Sequence, residues 1–364
     1  MKKILAIVNS DVTVFYYRLE LIEKLIEENY VINLSTPIGH KTKELEALGV
    51  SVIETHVDRR GTNPIKDYKL FRKYKSIIKK ARPDIILTYT IKPNIYGGLA
   101  AKNQKIPYLA NITGLGTGIQ RKGLLSKFLI ILYRKALKGA HAVFVQNEQN
   151  KSFVEEKKIF SHPILLPGSG VNLSKFTPVP YLESENLNIV FIGRVMKEKG
   201  IDEFLEAAIY FQKKGYKHKF HICGLMEDDY KEIIDSLVKE FTVIYHGLVD
   251  DMLKIYEFAH VVVNPSYHEG MSNVLLEGAA IARPLLASNI PGCKEIIDDG
   301  KNGLLFKAQD SIDLITKLET FVGLDFETRK QMGLSGRIKV EKEFNREIIV
   351  SRYIDEIKRI EGKE

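Results

Sequence analysis

The chain has 364 residues, 45% of them apolar and 27% charged, a length that suits two moderate domains rather than one core. Two cysteines, Cys223 and Cys293, exclude a disulfide framework and point to a reducing compartment. The net charge of +8 is unevenly placed: residues 1–175 hold 29 Lys+Arg against 14 Asp+Glu, and no acid falls between Ile85 and Asn147. A half so basic suits an anionic partner such as nucleic acid, an anionic membrane or a phosphorylated substrate.

The first apolar run, Ile4–Val8, stops at Asn9-Ser10-Asp11, too soon for a secretory leader, and reads as a buried strand. Helical periodicity follows over residues 18–28 and 41–48, with strands predicted at 31–35 and 52–55. A basic helix over 66–80 precedes strands at 83–88, 106–110 and 142–146. The apolar stretch around Phe128–Leu132 is too short to cross a bilayer, so a cytoplasmic protein is expected, with a position on the inner face of the cytoplasmic membrane still open. Pro167-Gly168-Ser169-Gly170 begins a Gly/Pro-rich and polar break. The alternation restarts at 188–192, with later strands at 219–223, 243–245, 261–264, 284–287 and 304–306. Near-continuous apolar strands alternating with helices predict parallel sheets covered on both faces. The expected fold is α/β, two Rossmann-like doubly wound domains facing each other across a cleft. Their expected bounds are residues 1–170 and 189–344, with a linker over 171–188 and a terminal helix from about 345 to 364 returning to the first domain.

Two strand-to-helix turns in the second half carry the chemistry. In Pro265-Ser266-Tyr267-His268-Glu269-Gly270-Met271-Ser272-Asn273-Val274-Leu275-Leu276-Glu277 a strand yields to an apolar helix. The N–H groups and dipole at a helix start receive an anion such as a diphosphate, and Gly270 permits close backbone approach. Glu269 and Glu277 stand about two helical turns apart. A plain capped helix with an exposed Glu277 explains this segment alone equally well. In Gly193-Arg194-Val195-Met196-Lys197-Glu198-Lys199-Gly200, cations at a strand's carboxyl end suit the charge of a leaving nucleotide, although a solvated basic turn has the same composition.

Together, Gly193-Arg194, Lys199-Gly200, Glu269 and Glu277 resemble the donor site of family 4 glycosyltransferases of GT-B architecture, including that family's E-x7-E spacing. Phe220–Gly224, Tyr245-His246-Gly247 and the run from Pro284 to Phe306 extend the resemblance over the second domain. The resemblance implies retaining transfer of a hexose or N-acetylhexosamine from a nucleotide diphosphate donor, a UDP-sugar in most bacterial relatives. It implies no metal and no cofactor. Arg194 and Lys199 would bind the diphosphate, Glu277 the ribose, and Glu269 the transferred sugar. The backbone at Gly270, Met271, Ser272, Asn273 and Val274 would meet sugar and phosphate, with base contacts near Gly224, His246 and Leu248.

In the first domain, the loops Tyr89–Gly98 and Asn111–Gly118 resemble a subgroup that builds capsules, O-antigens and related glycans on polyprenyl diphosphates. That implies Lys92 for the acceptor phosphates and Thr113, Gly114 and Gly116 around the acceptor, against the simpler readings of an exposed lysine and turn glycines. This sequence departs from many relatives in lacking a glycine turn after the first strand, and it carries Thr113 where they place His or Glu. Asp11 is then the candidate for orienting or deprotonating the acceptor, its alternative being a helix cap. Residues 121–135 combine cations with a dense apolar set that fits either the lipid interface or the domain core. The expected partners are therefore a nucleotide-sugar donor, a lipid-linked saccharide and an anionic membrane surface, without nucleic acid. The competing readings are a nucleotide-sugar 2-epimerase of the same architecture and a basic nucleic-acid-binding protein.

Overall fold

Apolar β-branched runs form two parallel sheets in the computed structural model, which describes residues 1–58, 61, 63–115, 119 and 123–362. The chain divides into two compact units: Met1–Ser169 with Arg346–Glu364, and Gly170–Asn345.

The first unit holds seven strands: β1 (Lys3–Ile7), β2 (Val31–Thr36), β3 (Ser51–Glu54), β4 (Ile85–Tyr89), β5 (Tyr108–Ile112), β6 (Ala142–Val145) and β7 (Ile164–Leu165). They lie in the order β3-β2-β1-β4-β5-β6-β7, all parallel. Ile4, Leu5, Ala6 and Ile7 are all buried because helices cover both sheet faces, and alternate residues feed separate cores. The helix Pro64–Ala81 shows how sequence sets element ends. Asn63 caps it by accepting from Ile65 N and Lys66 N, Pro64 occupies the first turn, and Arg82 ends it in a left-handed conformation before Pro83. The helix expected over residues 18–28 is present as Leu19–Glu27, and a further short helix precedes it. Helices Asp11–Tyr17 and Leu19–Glu27 meet at Arg18, whose φ of −140° breaks the helical path. The last helix, Arg346–Ile360, seals one face of this sheet. Ile349, Tyr353, Ile354 and Ile357 enter its core, and Asn111 Nδ2 donates to Tyr353 Oη at 2.7 Å.

The second unit holds β8 (Asn188–Ile192), β9 (Lys219–Cys223), β10 (Val243–Gly247), β11 (Val261–Asn264), β12 (Leu285–Ser288) and β13 (Gly303–Phe306). Their order is β10-β9-β8-β11-β12-β13, again parallel throughout. Residues 170–188 belong to this unit and are held there by two arginines. Arg283 is completely buried. It donates to the carbonyls of Val179, Pro180, Tyr256 and Glu257 and faces the Tyr181 ring. Burial lowers its pKa to about 10. Arg337 Nη1 donates at 2.7 Å to both Phe176 O and Ala280 O.

Candidate active site

In each sheet the strand order reverses once, between β1 and β4 and between β8 and β11. Loops diverge at such a point and leave a crevice outside the strands' carboxyl ends.

In the second unit the crevice is bounded by the turns after β8 and β11. Glycines allow its walls to close. A Cβ on Gly224 would stand 1.9 Å from Gly193 O, and one on Gly200 would stand 2.0 Å from Pro265 O. Gly200 also has φ +72°, which a side chain would strain. Tyr267 N donates to Glu198 O at 3.0 Å and joins the two turns. Between them, Lys199 Nζ lies 2.6 Å from Glu269 Oε1, with the side chains 28% and 15% exposed. Arg194 is more open, its Nη1 lying 3.6 Å from Glu227 Oε1.

The turn after β11 delivers the chain into helix Asn273–Ala280. Ser272 caps it, its Oγ accepting from Leu275 N and from Asn264 Nδ2, while Ser272 N donates to Gly292 O. The Ser272 hydroxyl is thus committed to the cap, and Met271 is buried in the core. Both side chains are therefore occupied within the unit. Gly270 is packed beside Gly292, where a Cβ would stand 2.8 Å from Gly270 O. Asn273 Oδ1 is buried with no hydrogen-bond partner among the described residues. One helical turn further, Glu277 Oε2 accepts from Tyr256 Oη at 2.9 Å, and the same hydroxyl reaches Val274 O at 3.2 Å. Tyr256 is wholly buried, so it orients Glu277 from behind. Sequence reading missed Tyr256, whose position 21 residues upstream carries no signal beyond helical apolar spacing.

The remaining expected donor contacts spread along the edge of the sheet. Gly224 sits at the end of β9, where its carbonyl accepts from Tyr245 Oη, and Leu248 is exposed beyond β10. His246 falls at an irregularity in the β10–β9 register, and its ring turns onto the sheet. Its Nε2 lies 2.9 Å from His221 Nδ1, and both rings contact Phe258. Burial, then the neighbouring His246, lowers the His221 pKa to about 4. The His246 ring is thereby engaged in this cluster.

In the first unit the crevice is a pocket of about 230 Å³ lined by Asn9, Val57, Thr90, Ile91, Lys92, Thr113 and Gly114. Three of the four expected acceptor residues meet here, and Gly116 lies outside the described residues. Thr90 adopts φ +71°, a strained conformation for a β-branched residue, and its buried Oγ1 has no partner among the described residues. A π-helical turn, Pro93–Gly97, follows. It is pinned by fully buried Asn94, which accepts from Thr88 Oγ1 and donates to Asn111 O. Lys92 is paired rather than simply exposed: its Nζ lies 2.6 Å from Asp67 Oδ1, and Tyr96 Oη donates to Asp67 Oδ2. Asp11 has a different place from the one expected. It is buried, does not line the pocket, and accepts from Val12 N, Lys41 N and Thr42 Oγ1. With its oxygens fixing the start of helix Thr42–Ala47, it is a structural carboxylate rather than a base facing substrate.

Two family patterns fit the chain. "Glycosyl transferase 4-like" matches residues 3–147, and "Glycosyl transferases group 1" matches residues 186–323. The chain is 28% identical over 365 residues to the N,N'-diacetylbacillosaminyl-diphospho-undecaprenol alpha-1,3-N-acetylgalactosaminyltransferase of Campylobacter jejuni, covering 95% of this chain and 96% of that protein. It is 27% identical over 319 residues to the UDP-Gal:alpha-D-GlcNAc-diphosphoundecaprenol alpha-1,3-galactosyltransferase of Escherichia coli, covering 82% and 80%. Among solved structures, sucrose-phosphate synthase from Thermosynechococcus elongatus superposes with a TM-score of 0.82 at 19% identity, covering all of both chains. The fold is that of the GT-B enzymes.

Proposed function

Because this chain belongs to the group 1, 4-like glycosyltransferases, we propose that it moves a sugar from a UDP-sugar to a polyprenyl-diphosphate-linked saccharide with retention and without a metal. Membership of this family sets aside the epimerase and nucleic-acid readings. The observation that carries the proposal is the Lys199–Glu269 pair at the start of helix Asn273–Ala280, on the switch point of the second sheet.

The second unit holds the donor. Its diphosphate meets the N–H groups at the start of that helix, together with Lys199 and the exposed Arg194. As the sugar–phosphate bond breaks, negative charge grows on the departing UDP, and these donors stabilise it without a metal ion. Glu277, oriented by Tyr256, accepts from the ribose hydroxyls. Glu269 is held by Lys199 beside the phosphates and faces the sugar. Retention follows if the acceptor hydroxyl attacks the face that the leaving phosphate vacates, with a phosphate oxygen taking the proton. No protein nucleophile is then required.

The first unit takes the acceptor, its saccharide in the polar pocket of Thr90, Lys92, Thr113 and Gly114. The names of both relatives carry a diphospho-undecaprenol, and that of the second carries UDP-Gal, which supports this choice of partners. No helix among the described residues is long and apolar enough to cross a membrane. The basic first half is proposed to bring the protein to the inner membrane face from the cytoplasm.

The test is a screen of UDP-sugars against polyprenyl-diphosphate saccharides, with product mass and anomeric configuration read out. An inverted product refutes retention. Glu277→Ala and Arg194→Ala proteins that keep wild-type transfer refute the donor site.

A further inference from the structure

Helix Leu124–Leu137 spends only part of its apolar residues on the core. Ser126, Tyr133, Ala136 and Leu137 are buried, while Leu124, Leu125, Phe128 and Ile131 are 84%, 46%, 55% and 47% exposed. The helix contains no acid and carries Lys127, Arg134 and Lys135. So large an exposed apolar set on one element marks a contact surface.

Phe128 and Leu132 form one wall of a groove of about 780 Å³. Tyr68 and Phe71 of helix Pro64–Ala81 form the other, and Tyr96 and Leu99 are half-buried in its floor. Lys102, Lys105 and Lys135 stand along it. At one end Asp67 and Tyr96 line the groove, while Lys92, 2.6 Å from Asp67, lines the acceptor pocket. The apolar groove and the polar pocket therefore share one wall, and a cation stands in that wall.

We propose that this groove binds the isoprenoid chain of the acceptor, with the chain's diphosphate at the Lys92–Asp67 wall and the saccharide in the pocket beyond. The inference rests on the acceptor class proposed above and adds where its lipid lies. An apolar chain ending in a diphosphate and then a sugar has the same order of chemistry as groove, lysine and polar pocket. Lys92 at the shared wall complements the diphosphate, while the stems of Lys102, Lys105 and Lys135 can lie along the apolar chain. A flat bilayer surface would reach the crest at Leu124, Leu125 and Ile131 but not the recessed floor at Leu99. The size falls within the usual range for small-molecule sites. Asp67 holds Lys92 until phosphate competes for it.

The experiment compares one saccharide carried on undecaprenyl diphosphate with the same saccharide on methyl diphosphate, both in detergent. The wild-type protein is expected to show a KM about tenfold or more lower for the long chain, the equivalent of a few buried methylenes. Leu99→Trp fills the floor and should erase that preference. Phe128→Ser, at an exposed position, should reduce it without affecting the fold. Asp67→Asn frees Lys92 and should tighten binding of a fluorescent prenyl monophosphate, which Leu99→Trp should weaken. The proposal is overturned if both Leu99→Trp and Phe128→Ser, folded by thermal melt, keep the chain preference. It is also overturned if only Leu124→Ser/Ile131→Ser removes it, together with binding to anionic vesicles, since the lipid contact is then the bilayer. Wild-type protein that transfers to neither acceptor yet binds the fluorescent probe in a Leu99-dependent way refutes the proposed function and leaves the groove standing.

Discussion

Replacing Lys199 with alanine separates a structural ion pair from a donor-binding one. The Lys199 and Glu269 side chains keep 28% and 15% of their exposure, so solvent screens the pair and its share of stability is about 1 kcal/mol or less. A charge-assisted bond from Lys199 to the donor diphosphate contributes more, about 1.5–3 kcal/mol, and gains strength as charge develops. Lys199→Ala is therefore expected to lower kcat/KM for the UDP-sugar by about ten- to a hundredfold, with little change in the urea midpoint. The assay measures initial rates over a donor series alongside urea unfolding. Glu269→Gln serves as the control for stability alone, because it removes the same ion pair while keeping the cation. If Lys199→Ala and Glu269→Gln lose stability equally while donor kinetics stay at wild-type values, the pair is scaffolding and the diphosphate assignment fails.

Two further outcomes follow from the same geometry. Gly200→Ala places a Cβ 2.0 Å from Pro265 O at φ +72°, and should cost at least about 2 kcal/mol and raise the donor KM. Gly215→Ala, at φ +80° with open space around it, should show the backbone cost alone; equal losses at both sites would refute the contact between the two turns. Stability should also fall in mild acid. His221 and His260 are buried with pKa values near 4 against the ordinary 6.5, so below pH 6.5 the unfolded chain takes up protons that the folded chain refuses. Each histidine then removes up to about 2 kcal/mol by pH 5, levelling off below pH 4. Urea unfolding that is flat between pH 7.5 and pH 5 would contradict this.

The strands were legible because burial on both faces leaves little but β-branched and apolar residues. Asn188–Ile192 and Val261–Asn264 begin and end where those runs do. The two-residue β7 and the turn Pro93–Gly97 were not, since neither is long enough to show a period. Among candidate site residues, the cap at Ser272 could be anticipated from a strand-to-helix turn. Partners distant in sequence could not. Asp11 meets Lys41 and Thr42, Lys92 meets Asp67, and Glu277 meets Tyr256, each across a separation that no local pattern encodes. The contact of His246 with His221 was hidden for a related reason: it crosses two strands whose register is irregular, and residue type does not reveal it.

Arg283 bears on how this chain can be divided. Its guanidinium is completely buried and is solvated by main-chain carbonyls, two of which come from Val179 and Pro180. A donor fragment cut at the start of β8 would leave a cation in the interior with part of its solvation shell removed, at about 1–3 kcal/mol for each lost acceptor. A fragment beginning at Gly170 keeps that shell whole. The stretch that composition marks as a tether is therefore an internal solvent for one charge, and the natural seam for excision lies before it.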